Sequence, residues 1–203
     1  MAGLLSNFRN TVIVSVILAL VVLFAYSTGP HGADGVFWQG VFRWMHVFFG
    51  ILWIGLLYYF NFVQIRVMPD VPAELKPAVS KYIAPEALFW FRWSALATVI
   101  MGLAIAGSRG YTAEALSFGL ANGYTAADKG NALLGLGMWL GIIMMINVWG
   151  FIWPNQKRAL GLVEADADTK AKSARLATLF SRTNMLLSIP MLVSMTMSQT
   201  IFG

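Results

Sequence analysis

Five long apolar stretches, separated by polar connections, account for about half of the chain. A helix rises 1.5 Å per residue, so each stretch can cross most or all of the roughly 30 Å of hydrocarbon in a bilayer. The pattern predicts an all-α, polytopic transmembrane bundle of about five spans, forming a single domain over residues 1–203. The predicted spans are residues 11–26, 41–63, 88–107, 132–153 and 183–202.

Composition agrees with lipid as the solvent for this chain. Hydrophobic residues make up 58% of it and charged residues only 11%, whereas soluble domains carry roughly a quarter charged residues. The absence of cysteine excludes disulfides, iron–sulfur clusters, thiol catalysis and covalent CxxCH haem attachment within these 203 residues. Any cofactor must therefore be held by His, Met, carboxylates or non-covalent packing.

Basic residues are concentrated in alternate connections. The net charge of +5 does not indicate nucleic-acid binding, because Lys and Arg in a membrane chain mainly set its orientation. The first and third connections carry only Arg109 and Lys129, with Arg43 at the start of the second span. The positive-inside rule therefore predicts a cytoplasmic N-terminus and an external C-terminus. The basic residues on the predicted cytoplasmic side include Arg9, Arg66, Lys76, Lys81, Lys157, Arg158, Lys170, Lys172, Arg175 and Arg182.

Small residues recur at helical spacing in two of the spans. Ser94, Thr98, Gly102 and Ala106 follow one another every four residues, and the fourth span contains the pair Gly137 and Gly141. Such spacing lets helix backbones approach closely in lipid, where no hydrophobic effect drives association. The pattern predicts close helix packing, but it leaves open whether the helices belong to one chain or to copies in a homo-oligomer.

One ionisable side chain lies inside a span. His46 is about one turn from the outer end of the second span, and Gly50 and Trp53 follow it. Intramembrane ionisable residues are costly and are usually functional. A neutral imidazole can ligate haem b, with Gly50 leaving room for the macrocycle; the alternative is a histidine that hydrogen-bonds to another helix. The other histidine, His31, lies in the outer connection, and no metal-ion site is predicted.

Polar residues near four span ends form a second candidate site. Alternating helix direction puts Arg92, Asn147, Asn155 and Asn184 at similar depth on the cytoplasmic side, with several Trp and Tyr residues. An arginine, amides and flat rings suit a planar anionic ligand, so we expect a substrate cleft. The alternative is an ordinary aromatic belt with polar residues that cap or join helices.

Four sequence strings resemble a known family. They are HVFFGILWIGLLYYFNFVQ from His46, WFRW from Trp90, NVWGFIWPNQ from Asn147 and SRTNMLLSIPML from Ser181. In this order they are similar to the membrane domain of the bacterial PuuD-type urate hydroxylases, the urate oxidase N-terminal domain. The resemblance implies a multi-pass enzyme of the bacterial cytoplasmic (inner) membrane that oxidises urate and passes electrons to a fused c-type cytochrome.

The sequence departs from that family in having no CxxCH cytochrome domain and in being shorter than the full-length members. A separate cytochrome c, or another subunit of a membrane complex, is then the expected electron acceptor. In this leading hypothesis Arg92, Asn147, Asn155 and Asn184 orient a planar substrate and His46 holds a redox centre. The alternative is a non-catalytic subunit of a respiratory or oxygenase complex. A channel or transporter is disfavoured, because no carboxylate lies in the middle of a span.

The predicted topology can be tested with a fusion at the C-terminus. A reporter that is active only in the cytoplasm, fused after Gly203, should give no signal because five spans from a cytoplasmic N-terminus end outside. The same reporter fused within the connection that carries Lys170 should be active. A strong signal at Gly203 would reverse the orientation.

Overall fold

Five long helices account for most of the protein. The computed structural model describes residues 2–29, 32–121 and 129–202, and these are helical with short connections and contain no strand. Each long helix is apolar enough to cross a membrane, which confirms the all-α prediction of five spans; the orientation stays a prediction. The helices are α1 (Phe8–Ser27), α2 (Gly35–Asp70), α3 (Lys76–Arg109), α4 (Lys129–Ala159) and α5 (Ala167–Phe202).

The connection between α4 and α5 is shorter than the charged stretch between the predicted fourth and fifth spans. Most of the basic stretch after Ala159 belongs to α5, which begins at Ala167 and runs for 36 residues. Asp166 caps this helix: its Oδ1 accepts from the main-chain N–H of Thr169 at 2.8 Å, and its Oδ2 accepts from the Thr169 hydroxyl. These hydrogen bonds hold the pKa of the Asp166 carboxyl below its usual value. A charged, alanine-rich stretch is therefore a helical extension of a span.

The long helices pack as two antiparallel pairs, α2 with α3 and α4 with α5. The small residues predicted to form helix contacts do so within this chain. Ser94, Thr98 and Ala106 are buried, and a Cβ on Gly137 would lie 3.1 Å from the Cβ of Ser194 on α5. Gly137 therefore packs against α5 of the same chain, whereas a Cβ on Gly141 would meet nothing within 4 Å among the described residues.

Polar contacts join the two pairs in one half of the bundle. Asn61 Nδ2 on α2 donates to Ser181 Oγ on α5 at 3.0 Å, and the Ser188 hydroxyl on α5 lies 3.3 Å from the Tyr58 hydroxyl on α2. We call this the Asn147 half; it contains the ends of the helices at Asp70, Lys76, Ala159 and Ala167. The opposite half, which contains Gly35, Arg109, Lys129 and Phe202, is called the His46 half.

Three π-helical turns lie in the Asn147 half: Tyr59–Gln64 in α2, Val79–Ile83 in α3 and Val148–Ile152 in α4. Two of them have a local cause. A proline lacks an N–H, and its ring clashes with the carbonyl of the residue four positions earlier. For Pro85 this residue is Lys81, in the π turn of α3, and for Pro154 it is Gly150, in the π turn of α4. The wider turns let the helices continue through both prolines.

The first helix differs from the other four. None of its described residues is buried, and large apolar side chains such as Phe8, Leu18 and Phe24 are exposed all along it. An exposed helix of this composition is stable in lipid because its backbone hydrogen bonds are satisfied within the helix. The core therefore consists of α2 to α5.

The pair Asn147 and Asn184 fastens α4 to α5. Asn147 Nδ2 donates to Asn184 Oδ1 at 2.9 Å, and Asn184 Nδ2 donates to the carbonyl of Met144 at 2.9 Å. We expect Asn184→Ala to lower the free energy of unfolding in detergent by about 1–3 kcal/mol, because it leaves the buried amide of Asn147 without its partner. Thr183→Ala, at an exposed position, should stay within about 0.5 kcal/mol of the wild type. If the Asn147→Ala and Asn184→Ala effects were fully additive in the double variant, the two side chains would not act as a pair.

Candidate functional site

A cavity of about 550 Å³ lies between α2, α3, α4 and α5. Most of its lining is in the His46 half. The walls are largely apolar and include Ile54, Val99, Met138 and Met191, with His46 among a few polar groups. An apolar cavity with a small number of polar groups is the usual form of a site for a small organic ligand or cofactor.

The imidazole of His46 is fixed by one hydrogen bond. Its Nδ1 lies 2.7 Å from the carbonyl oxygen of Thr98 on α3. Since a carbonyl only accepts, Nδ1 carries the hydrogen and the Nε2 lone pair is free. Nε2 has no hydrogen-bond partner among the residues that the structure describes. This is the tautomer and orientation typical of a histidine that ligates a metal through Nε2.

Gly102 on α3 makes room for the His46 ring. A Cβ at this position would lie 2.9 Å from His46 Cε1 and 3.0 Å from Nδ1, closer than real Cβ contacts. Gly50 behaves differently, because its Cβ would meet only Thr98 Cγ2, at an ordinary 3.8 Å. Gly50 lines the cavity and so widens it, as expected, whereas Gly102 determines where the ring can lie.

Trp53 contributes an unsatisfied donor beside the cavity. Its side chain is 1% exposed and belongs to the cavity wall, but its indole N–H has no hydrogen-bond partner in the part of the chain that the structure describes. A buried donor without a partner costs about 1–3 kcal/mol. Such groups are uncommon in native proteins and concentrate at functional positions.

Of the four residues predicted to form a cleft, Arg92, Asn147, Asn155 and Asn184, the structure joins Asn147 to Asn184 by a hydrogen bond. Asn184 also donates to the carbonyl of Met144. Asn155 Nδ2 donates to the carbonyl of Phe151 in its own helix. None of the four lines the cavity. The two buried asparagines are therefore reassigned to helix association, which is the alternative that the sequence left open.

Arg92 lies beside aromatic rings in the Asn147 half. Its Cζ is 3.9 Å from the centre of the Trp153 ring and 5.2 Å from that of Phe89, within the range of a cation–π interaction. The indole N–H of Trp149 donates to the Arg92 carbonyl at 3.1 Å. These contacts hold the arginine in place with its aliphatic part packed, and its guanidinium has no carboxylate partner within the described part of the chain.

The residues around the cavity fit haem b. This group is held without a covalent bond, by an axial histidine and an apolar slot, and its two carboxylates need polar contacts. His46 supplies Nε2, Gly50 and Gly102 add no side chain to the cavity beside the imidazole, and Arg43 belongs to the same lining. A metal ion bound by several side chains has less support, because the described His, Asp and Glu residues form no group of three. His31 lies outside the described residues.

No family model matches the chain, and neither a curated protein nor a solved structure is found to match it. The resemblance to the urate hydroxylase membrane domain therefore rests on the four sequence strings alone.

The role of Gly102 can be tested by ¹⁵N NMR of labelled histidine in a His31→Gln background, which leaves His46 as the one histidine. We expect the wild-type ring to be the Nδ1–H tautomer, held by the Thr98 carbonyl. Gly102→Ala should displace the ring and give a mixture of tautomers. The matched control is Gly107→Ala on the same helix, where a Cβ meets nothing within 4 Å. An unchanged spectrum in Gly102→Ala would contradict the close contact.

Proposed function

We propose that this chain is an integral membrane redox protein that binds haem b through Nε2 of His46. One observation carries the proposal: the hydrogen bond from Nδ1 to the Thr98 carbonyl fixes His46 with a free Nε2 at the wall of a largely apolar cavity. A histidine whose role was only to join α2 to α3 would need no cavity beside it.

The chain's own residues would tune and protect the group. The Thr98 carbonyl accepts the Nδ1 hydrogen, which makes Nε2 more basic and holds the ring in one orientation. Because Gly102 has no Cβ, the imidazole of His46 can lie close to α3. The apolar walls from α4 and α5 exclude water. When bound, haem supplies one-electron transfer through its iron.

For the electron donor we propose urate or a similar planar substrate, and for the acceptor a separate cytochrome c. Both follow from the sequence resemblance. Two of the predicted cleft residues, Arg92 and Asn155, take no part in the hydrogen bond between Asn147 and Asn184. A planar anion would bind to these two side chains in the Asn147 half. With the predicted topology this half faces the cytoplasm of a bacterium, and the His46 half faces outward, where a soluble cytochrome would accept the electrons.

A non-catalytic subunit of a larger respiratory or oxygenase complex is the second candidate. The observation that favours this candidate is the exposure of α1. None of its residues is buried against the rest of the chain, so its apolar side chains are available to contact another subunit. In that case the purified protein would carry no chromophore and would co-purify with other membrane subunits.

The absorption spectrum of the purified full chain tests haem binding. We expect a Soret band in the wild type and its loss in His46→Ala, with a similar yield of folded protein, because the single axial nitrogen is removed. Met68→Ala, at a partly exposed methionine in the Asn147 half, is the control and should keep the band. A wild-type protein without a Soret band, after expression with excess haem precursor, would reject the proposal.

A second experiment tests urate as the electron donor, independently of haem binding. Anaerobic addition of urate to the oxidised, haem-containing membranes should produce the reduced spectrum if urate is the substrate. A haem that dithionite reduces and urate does not would leave the redox protein in place and remove urate as its donor.

A further inference from the structure

The cavity beside His46 is polar at one end. Arg43 lies three residues before His46 on α2, so the two side chains share a helix face, and both line the cavity. Arg43 is exposed, whereas His46 is half-buried. Tyr111, just after the end of α3, belongs to the same lining. The cavity therefore runs from an apolar interior to an arginine and a tyrosine near the start of α2.

A second arginine lies close to this end. Arg109 ends α3 two residues before Tyr111. Burial raises the pKa of the Tyr111 hydroxyl, and the positive charges of Arg109 and Arg43 act to lower it. Neither arginine forms an ion pair or a side-chain hydrogen bond with the residues that the structure describes. Positive charges at one end of the bundle favour an anionic ligand there.

The two carboxylates at this end that the structure describes, Asp34 and Glu114, each accept a hydrogen bond from another group. Asp34 caps α2, where its Oδ1 accepts from the main-chain N–H of Phe37 at 2.9 Å. Glu114 accepts from the side-chain amide of Asn131 at 3.3 Å. Among the described residues, the cavity lining includes the positive charge of Arg43 and no carboxylate, while its interior is largely apolar and includes the imidazole of His46.

We propose that Arg43, together with Arg109 and Tyr111, binds the carboxylates of the planar ligand whose ring occupies the cavity. The inference rests on the function proposed above, in which these carboxylates are the haem propionates. Arginine suits this task because its planar guanidinium binds a carboxylate through two parallel hydrogen bonds and is more weakly hydrated than an ammonium group. Such contacts would fix which edge of the ring points toward the end of the bundle at Gly35.

The experiment compares two ligands that share one ring system. Full-length protein made in cells that cannot synthesise haem, and purified in detergent, is titrated with ferric haem and with its dimethyl ester, which has no free carboxylates. Wild-type protein should bind the diacid about tenfold or more tightly than the ester, as expected for a charge-assisted pair. Arg43→Gln should weaken diacid binding by a similar factor and leave ester binding unchanged.

Two further variants make the result specific. Arg43→Lys keeps the charge but not the two parallel hydrogen bonds, so its preference for the diacid should fall between those of wild type and Arg43→Gln; it also replaces Arg43→Gln if that variant does not fold. Arg182→Gln removes an exposed arginine in the Asn147 half and should change neither affinity.

The outcomes separate this inference from the proposed function. If neither ligand gives a histidine-ligated spectrum that His46→Ala abolishes, haem binding itself fails. If both ligands bind through His46 with equal affinity, or if Arg43→Gln weakens both equally, haem binding stands and the carboxylate role of Arg43 is overturned.

Discussion

Close approach between helices is the constraint on which the rest of this structure depends. Lipid is as apolar as a leucine side chain, so two helices gain little by hiding apolar surface from it. What remains is dispersion at short range, which small residues permit, and hydrogen bonds across the contact. Thr98 and Gly102 let α3 approach α2 closely enough for a main-chain carbonyl to receive the imidazole of His46. A larger residue at either position would separate the helices and move the ring.

The two halves of the bundle use their polar groups differently. In the Asn147 half the amides and hydroxyls of Asn61, Asn147, Ser181 and Asn184 bond to one another or to backbone, and they join α5 to its neighbours. Beside the cavity, His46 Nε2 and the Trp53 indole N–H have no hydrogen-bond partner among the described residues; the Gln64 side-chain oxygen in the Asn147 half is likewise without one. A satisfied polar contact stabilises the fold, whereas an unsatisfied one is available for a ligand.

Sequence alone predicted the parts of this structure that depend on length and periodicity. Apolar runs long enough to cross a bilayer gave the five helices, and small residues every four positions identified the helix contacts. The sequence placed Asn147 and Asn184 at similar depth and in one cleft, but that they bond to each other depends on the rotation of each helix about its axis, which cannot be read from sequence. The extension of α5 to Ala167 was missed since a charged stretch interrupts the apolar pattern without interrupting the helix. Gly102 was recognised from sequence as one of the small residues spaced four apart on α3. That spacing indicated close packing between helix backbones, but it did not indicate that Gly102 makes room for an imidazole.

The length of α5 has a mechanical consequence. At 1.5 Å per residue its 36 residues span about 54 Å, against roughly 30 Å of hydrocarbon. Even a tilted α5 must therefore project beyond the bilayer, and the charged end near Lys172 and Arg175 is the part that can do so. The projecting segment and Met191 in the cavity wall belong to the same helix, and Pro190 lies between them. A proline inside a helix removes one backbone hydrogen bond, so Pro190 is the point at which the projecting segment can bend relative to the end of α5 at Phe202.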